Sequence, residues 1–336
     1  MNSKQKILLL FLSLSIQNVF GWGFHAHKTI NKNAVYLLPN NSLFGFFKKN
    51  INYLTESAVN PDKRRYVLSE EAPRHYIDLD SYTHLGFKIL PKYYSEVKNV
   101  LSEDTLNKHG ILPWHISEMQ QTLTKAFASK DSKWILKTAA DLGHYVADAH
   151  VPLHTTHNYD GQYSNQKGIH ALWETRLPEL YIKNYDLLIG KAEVIKDVQK
   201  QAWNAVNTSN SALDSVFKFE IESTLLVGEE YKYSFEEKNA TSVRTYSKEF
   251  SKKYSDKLNG QVERQLRNAI KMVADLWYTS WVEAGQPDLS ILEKEPINSD
   301  DTIKETLKNS RFLETHHNCN HLLHLENSNS LTKNTK

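Results

Sequence analysis

The segment "ISEMQQTLTKAFASKDSKWILKTAADLGHYVADAH", residues 116–150, decides the fold class because its apolar residues recur at spacings of three and four. One stripe comprises Ile116, Met119, Leu123 and Phe127. A second stripe follows Asp131 and begins with Trp134, Leu136, Ala139 and Leu142. This periodicity is typical of amphipathic helices that bury one face. The segment therefore predicts two consecutive helices.

A third helix is predicted over residues 261–285, "QVERQLRNAIKMVADLWYTSWVEAG", where Gly285 has the position of a C-cap. Its apolar stripe comprises Leu266, Ile270, Val273, Leu276 and Trp277. The chain has only 12 glycines and 9 prolines, and no alternating, strand-like run stands out. We predict an all-α fold, with a mostly helical single domain over residues 22–285.

The first 21 residues are predicted to be a secretory signal peptide. Two lysines precede the apolar run "ILLLFLSLSI" at residues 7–16, which is short for a membrane span. A retained N-terminal anchor is the alternative. Cleavage after Gly21 would leave Trp22 as the N-terminus of an exported protein, either periplasmic or secreted. No later segment is apolar for long enough to cross a bilayer.

Residues 286–336 are predicted to form a polar, flexible tail because the apolar periodicity fades there. Its cluster "HHNCNHLLH", residues 316–324, is either a weak separate metal site or ordinary polar tail, and the composition favours the tail. The only cysteine, Cys319, excludes an intrachain disulfide. The formal net charge of +2 argues against a surface that coats nucleic acid.

Histidines and carboxylates are concentrated in "DLGHYVADAHVPLH", residues 141–154, and in the "GIHALWE" segment that follows. His144 and Asp148 are four residues apart, as are His170 and Glu174, so each pair shares one helix face. His154 lies between the two pairs. Zinc binds imidazole and carboxylate ligands of this kind. The alternative is a set of surface or hydrogen-bonded core histidines, which explains any one residue more easily than the joint pattern.

Two upstream segments supply further candidates. "VNPDKRR" contains Asp62, and "APRHYID" contains His75, which together offer another oxygen and another nitrogen to a metal. His150 and His157 fall outside the paired geometry. We expect them beside the ligands or on the surface.

The ordered set "WGFHAH", "VNPDKRR", "APRHYID", "HYVADAHVPLH" and "GIHALWE" resembles the superfamily of zinc-dependent phospholipases C and S1–P1 nucleases. The similarity extends from about Trp22 to Leu180 and includes the predicted helix near residues 260–285. The resemblance implies a helical domain with three zinc ions in one cleft.

The resemblance also implies which residues bind each ion. In this superfamily the mature chain begins at a tryptophan whose amino group and carbonyl oxygen bind zinc. Trp22 matches that residue and His27 its partner, although His25 is a second histidine nearby. Another ion is implied at Asp62, His75, His144 and Asp148, with Asp148 bridging two ions. The remaining ion is implied at His154, His170 and Glu174.

The implied activity is hydrolysis of a phosphodiester. Zinc-bound water is ionised near neutral pH and attacks phosphorus, so no covalent nucleophile is needed. Arg65 matches a substrate-phosphate arginine of the nuclease branch, and Asp62 is expected to orient the attacking water as well as bind metal. We therefore predict Asp62 and Arg65 as the catalytic residues.

The substrate is indicated by finer features. The short loop between His154 and His170, together with Glu174, resembles the phospholipase C branch, whereas "WGFHAH" and the spacing of Asp62 and Arg65 resemble the nucleases. Loop length and ligand type favour phospholipase C-like activity on a phospholipid head group. An S1/P1-type nuclease acting on single-stranded nucleic acid is the alternative. A non-catalytic zinc-binding protein and a purely structural helical protein are two others. No protein partner is predicted.

Overall fold

The computed structural model describes residues 23–238 and 241–292, and these form a helical fold with one small β-hairpin. Its N-terminal helices are α1 (Phe24–Leu37), α2 (Ser42–Lys49), α3 (Ile51–Glu56), α4 (Asn60–Arg64), α5 (Leu79–His84), α6 (Tyr94–Val97), α7 (Glu103–His109), α8 (Leu112–Ser129) and α9 (Ser132–Asp148). Its later helices are α10 (Ile169–Ala171), α11 (Leu177–Tyr181), α12 (Val198–Ser211), α13 (Leu213–Val227), α14 (Lys248–Leu258) and α15 (Gln261–Glu283).

Short helical turns connect several of these elements. A π-helical turn, Leu172–Arg176, joins α10 to α11. Turns of 3-10 helix occur at Ser57–Val59, Ser69–His75, Pro152–Thr155, Ile182–Asn184, Glu229–Tyr231 and Ser290–Leu292. The trunk of the fold consists of α1, α8, α9 and α15, which pack against one another. Because α9 lies in contact with the other three, its buried face can hold a rigid site.

The two predicted helices of residues 116–150 are α8 and α9. They are separated by a short turn in which Lys130 is left-handed, with φ 54°, and Asp131 caps α9 by accepting the Trp134 amide at 3.0 Å. The predicted core residues Leu123, Phe127 and Leu136 are fully buried. The α-helical period was therefore a sound guide to the core.

Trp134 was wrongly placed in that core, since it is 38% exposed. It shares a helix stripe with Thr138 and Asp141, and Asp141 is bound by the Arg64 side chain at 3.2 Å. This stripe faces a polar network. The apolar face of α9 instead begins one residue later, at the fully buried Ile135.

The third predicted helix is α15, whose five predicted core residues are all fully buried. Trp277 donates its indole N–H to the Ala139 carbonyl at 3.0 Å, which ties α15 to α9. Gly285 adopts φ +82° just after the helix, as a C-cap glycine does. Packing continues past this glycine, because Leu289 is fully buried. The rest of the predicted tail, from residue 293, lies outside the described residues.

The hairpin, β1 (Tyr233–Lys238) and β2 (Thr241–Tyr246), was not anticipated from the sequence. Its register pairs Tyr233 with Tyr246 and Phe235 with Arg244. Most of β2 is exposed, and only Tyr246 at its end is buried. Since no strand face is buried along its length, the hydrophobic alternation that would reveal a strand is missing. The fold is otherwise helical, as predicted.

Among the described helices, none combines the length and apolar character that a bilayer crossing requires.

Candidate metal centre

The C-terminal half of α9 carries the first two candidate ligands, His144 and Asp148, one turn apart and fully buried. The Nδ1 of His144 donates to the carbonyl of Ala58 at 2.8 Å. This bond leaves Nε2 as the free ring nitrogen and aims it at the site, as the outer hydrogen bond of a metal-binding histidine does. Nε2 lies 3.3 Å from the nearer oxygen of Asp148.

His75 and Asp62 complete this part of the site from two distant segments. His75 ends the 3-10 turn Ser69–His75, and its Nδ1 lies 2.9 Å from Asp148 Oδ2 and 3.0 Å from His144 Nε2. Asp62 lies in the first turn of α4, with Oδ1 at 3.8 Å from both histidines. The structure thus brings together the four residues that the resemblance assigned to one ion.

The two oxygens of Asp148 face different groups. Oδ2 faces His75 and His144, whereas Oδ1 lies 3.5 Å from His27 Nε2 and 4.0 Å from His154 Nδ1. A carboxylate in this position can contribute one oxygen to each of two ions. This is the geometry expected of a bridging ligand.

His27 lies on α1 and is fully buried, with its ring stacked on that of His144 at 4.0 Å between centroids. Its neighbour His25 is exposed. Of the two histidines, His27 is the one that the structure places beside Asp62 and His144. Trp22 lies outside the described residues, but the next residue, Gly23, donates its backbone N–H to the Glu174 carbonyl at 3.2 Å. The described chain thus begins beside the site.

The remaining candidates are grouped by the segment that follows α9. His154 lies in the turn Pro152–Thr155, and its Nδ1 donates to the His75 carbonyl at 2.5 Å, which leaves Nε2 3.5 Å from Glu174 Oε2. His170 Nε2 lies 2.9 Å from the same oxygen. Glu174 lies in the π-helical turn, a geometry that is frequent at functional sites.

Three sets of buried side chains therefore have ligand atoms close enough to share an ion: His27 with Asp62 and His144, His75 with His144 and Asp148, and His154 with His170 and Glu174. Within residues 23–238 and 241–292, several of these atoms are buried without a hydrogen-bond partner. They are both ring nitrogens of His27, both oxygens of Asp62, His75 Nε2, Asp148 Oδ1, His154 Nε2, His170 Nδ1 and Glu174 Oε1. Buried polar atoms are rarely left unpaired, so this concentration fits a metal centre.

The protonation of the site points the same way. Burial lowers the pKa of His170 to about 4, so its ring is neutral and able to bind a cation. Burial also raises the pKa of Glu174 to about 8. At His144 burial acts to lower the pKa, but the Asp148 and Asp62 carboxylates outweigh it and raise the value to about 9. Without a cation, a proton on Glu174 and the charge of His144 therefore offset part of the buried negative charge.

A cleft of about 380 Å³ opens next to His75, His154 and His170. Its wall includes two tyrosines, two cations and polar groups from the residue before α5 and from the loop after α9. These include Arg65, Tyr76, Asp78, Lys108, His157 and Tyr159. Arg65 Nη1 lies 3.7 Å from Asp62 Oδ1, which places both predicted catalytic residues at the border between cleft and metal centre.

The other histidines that the sequence left open are now placed. His157 is half-exposed at the cleft, where Nδ1 lies 3.4 Å from Asp78 and Nε2 lies 3.0 Å from the Tyr163 hydroxyl. His150 is buried and donates to the Val146 carbonyl at 2.8 Å, away from the three sets.

Sequence reasoning missed Glu71, which is fully buried beneath the centre. It accepts hydrogen bonds from the Tyr145 hydroxyl and from Arg64, and its carboxylate lies 3.6 Å from His75 Nε2. These contacts hold the His75 ring in place. The available signal was its position four residues before His75, the same spacing that identified the other pairs.

Comparison with known proteins agrees with this geometry. The model of the S1/P1 nuclease family matches residues 22–275, about three quarters of the chain. The chain belongs to the S1/P1 nuclease family. This confirms the predicted superfamily. No curated protein matches this S1/P1 nuclease family member.

Among solved structures, the alpha toxin from Clostridium absonum is similar to this family member. The TM-score is 0.47 at 11% sequence identity, over 81% of this chain and 66% of the toxin chain. The chain therefore spans slightly less than two thirds of the toxin.

Proposed function

We propose that this protein is an exported, zinc-dependent phosphodiesterase that cleaves single-stranded nucleic acid. The observation that carries the proposal is the cleft beside the metal centre, whose lining includes two tyrosine rings and two cationic side chains. Tyr76 and Tyr159 offer faces for a base, and Arg65 and Lys108 offer charge for phosphate. Aromatic rings interleaved with cations are typical of single-strand binding sites. Family membership supports the same class of substrate.

The metals are proposed to be three zinc ions, because imidazole and carboxylate are ligands that zinc prefers. The ligands are proposed to be His27, Asp62, His75, His144, Asp148, His154, His170 and Glu174, with the amino group and carbonyl of Trp22. Bound there, the ions would ionise a water near neutral pH and offset negative charge on the phosphate. The signal peptide and its cleavage before Trp22 are part of the proposal, since a free amino group is one of the ligands.

Two side chains are proposed to act on the phosphate and the water. Arg65 donates to the non-bridging oxygens, for which the planar guanidinium is suited. Its guanidinium lies 3.7 Å from Asp62, and Arg65 lines the cleft. Asp62 has both oxygens free of hydrogen bonds within the described chain, so one can accept a hydrogen bond from the attacking water. This orients the water toward phosphorus.

Phospholipid is the second candidate substrate, and it was the one favoured by the short loop before His170 and by Glu174. A choline head group would bring a quaternary ammonium into the cleft. Arg65 and Lys108 would repel that cation, while the carboxylate best placed to attract it is Asp78. Burial, with the neighbouring Asp80 carboxylate, raises the pKa of Asp78 to about 7, which weakens its negative charge at neutral pH. The charges of the cleft therefore favour a nucleotide.

The test uses protein whose N-terminal residue is Trp22. Three substrates are tested: a labelled single-stranded oligonucleotide, phosphatidylcholine vesicles and bis(4-nitrophenyl) phosphate. Each assay is run with and without a chelator, and zinc per chain is measured in the same preparation. We expect zinc binding and chelator-sensitive cleavage of the oligonucleotide. A matched protein with one extra residue before Trp22 should bind less zinc, because its amino group is displaced.

Other results would contradict the proposal. Chelator-sensitive release of phosphocholine without oligonucleotide cleavage would assign the phospholipase activity. Bound zinc with no hydrolysis of the three substrates would support a zinc-binding protein that is not an enzyme.

A further inference from the structure

A second cavity, of about 480 Å³, lies between the loop after α5 and the free face of α12. One wall contains Phe87 and Lys88 from the loop, and the other contains Lys200, Trp203 and Asn207 from α12. Aromatic rings thus form part of its walls, and amide and ammonium groups lie along its rim. None of these residues belongs to the metal centre or to the cleft beside it.

The charge of this cavity is of one sign. Among the described residues, its lining includes three lysines, Lys88, Lys92 and Lys200, and no aspartate or glutamate. Lys92 is neutralised by Asp197 at 2.6 Å, outside the lining. Within residues 23–238 and 241–292, Lys88 and Lys200 have no carboxylate at ion-pair distance. Asp197 also attracts Lys200 electrostatically, so the local positive charge comes from Lys88 and, in part, from Lys200, in a chain whose formal net charge is only +2.

Polar groups on α12 are also available to a ligand. Asn204 lies four residues after Lys200, and Asn207 lies three residues after Asn204, so the three side chains share one face of the helix. The two amides make no hydrogen bond within the described chain and are exposed. Amides that can both donate and accept suit the polar edges of nucleobases.

The cavity adjoins the catalytic cleft. Leu79 lines the cavity and directly follows Asp78, which lines the cleft. At its other end, Asn210 donates to the Thr155 hydroxyl at 3.0 Å, and the flanking His154 and Thr156 both line the cleft. The cleft and the cavity are therefore separated by a single turn of chain.

We propose that this cavity, which we term the α12 groove, binds the nucleotides that flank the scissile phosphate in a single-stranded polynucleotide. Lys88 and Lys200 contact two phosphates, the amides of α12 contact base edges, and Phe87 and Trp203 contact base faces. The inference rests on the proposed nuclease function and adds to it that the preferred substrate is a chain of several nucleotides. A lipid surface is disfavoured by the exposed amides, although Ile89 in the same loop is 88% exposed.

The test compares the wild-type protein with the double variant K88Q/K200Q. Substrates are single-stranded oligonucleotides of 2 and 12 nucleotides and bis(4-nitrophenyl) phosphate, for which kcat and KM are measured at several salt concentrations. We expect KM for the 12-mer to rise several-fold with kcat unchanged, and the dinucleotide and the small diester to be unaffected. Losing two phosphate contacts should reduce the slope of log(kcat/KM) against log[salt] by about 1.4, at about 0.7 per contact.

The matched control is K125Q/K133Q, which removes two exposed lysines near the turn between α8 and α9. It should leave both the KM for the 12-mer and the salt slope at wild-type values. Asn207→Asp, which adds a negative charge to the same wall, should raise the KM for the 12-mer without changing the small-diester rate. Melting temperatures of all variants establish that each is folded.

The outcomes separate this inference from the proposed function. If the wild-type protein cleaves oligonucleotides and K88Q/K200Q behaves like the control pair, the groove is not a subsite although the nuclease proposal stands. If no oligonucleotide is cleaved, both proposals fail. If K88Q/K200Q and Ile89→Ser reduce binding to phosphatidylcholine and phosphatidylglycerol vesicles but not oligonucleotide cleavage, the groove contacts lipid and the inference is overturned.

Discussion

Gly143 of α9 lies directly against the side chain of Asn31 on α1, and a Cβ at Gly143 would stand 2.0 Å from Asn31 Oδ1. Asn31 in turn donates to the carbonyls of Leu54 and Ala140 at 3.1 Å each. This contact fixes the approach of α1 to α9. The stacked rings of His27 and His144 depend on that approach, because each lies within one turn of the contact.

Replacing Gly143 with alanine should therefore disturb the fold and the metal centre together. We expect a loss of about 1–3 kcal/mol in the free energy of unfolding, typical of overpacking, with reduced zinc content. Urea denaturation and zinc analysis measure the two effects. In N31A/G143A the clashing side chain is gone, so the double variant should lose less stability than the sum of the single variants. Strict additivity would show that the two residues do not meet.

Two adjacent arginines should respond in opposite ways. Arg64 is held by Glu71 and Asp141 at 3.1–3.3 Å, and burial of this network makes it structural. Arg65 faces the cleft. We expect Arg64→Ala to cost about 3 kcal/mol or more in stability. Arg65→Ala should leave the melting temperature near the wild-type value and lower kcat/KM about 100-fold, as loss of one anion-stabilising donor does. Arg65→Lys should recover only part of the activity, because it lacks the planar fork.

Four of the candidate ligands could be predicted from spacing alone, because they form two helical pairs, His144 with Asp148 and His170 with Glu174. Such spacing shows which residues are neighbours on one helix. It does not show which residues of different segments are in contact. His27 reaches the centre from α1, and only the family resemblance indicated it. Asp62 and His75 were candidates by residue type alone, which does not show that they meet the helical pairs. The stacking of His27 on His144 has no signature in the sequence.

Other features were hidden for a different physical reason. Glu71 and Tyr145 form a buried polar network whose members look like ordinary surface and core residues when read separately. The β-hairpin has almost no buried face, so it carries no alternating pattern. Trp134 was misplaced because periodicity gives the phase of a helix but not which stripe faces an apolar neighbour. The α12 groove likewise depends on the meeting of a loop and a helix more than a hundred residues apart.

Asp148→Asn tests the bridging geometry. The amide keeps the size of the side chain but offers one neutral oxygen in place of two charged ones. Mutating a residue that only hydrogen-bonds to a metal ligand lowers metal affinity or activity by about 10–100-fold. Because Asp148 is proposed to be a ligand itself, we expect Asp148→Asn to lose more than about 100-fold in hydrolysis. Zinc per chain should fall by more than one ion, because two groups lose a shared ligand. Asp256→Asn, at an exposed ion pair with Lys252, is the matched control. A variant that keeps both full zinc content and activity would contradict the bridge.

The final prediction concerns pH and Asp78, whose carboxylate faces Asp80, His109 and His157 at the cleft. Burial, and then repulsion from Asp80, raises the pKa of Asp78 from an ordinary 3.8 to about 7. The folded chain therefore retains this proton over a pH range in which the unfolded chain has released it. The contribution of Asp78 to the free energy of unfolding should fall by at most about 4 kcal/mol as pH rises from about 4 to 7. Above about pH 7 it should stay level.

Asp78→Asn carries no proton to lose, so the difference in unfolding free energy between wild type and variant should shrink and then reverse across that range. Urea midpoints at pH 5 and pH 8 measure it, and the other titrating groups cancel in the comparison. In activity assays, ionised Asp78 should repel phosphate, so the wild-type KM for an oligonucleotide rises above pH 7 while that of Asp78→Asn does not. Asp80→Asn removes the repulsion that helps to raise the Asp78 pKa. In this variant the rise in KM should therefore occur at lower pH than in the wild-type protein. Parallel KM profiles for all three proteins would mean that Asp78 does not face the substrate.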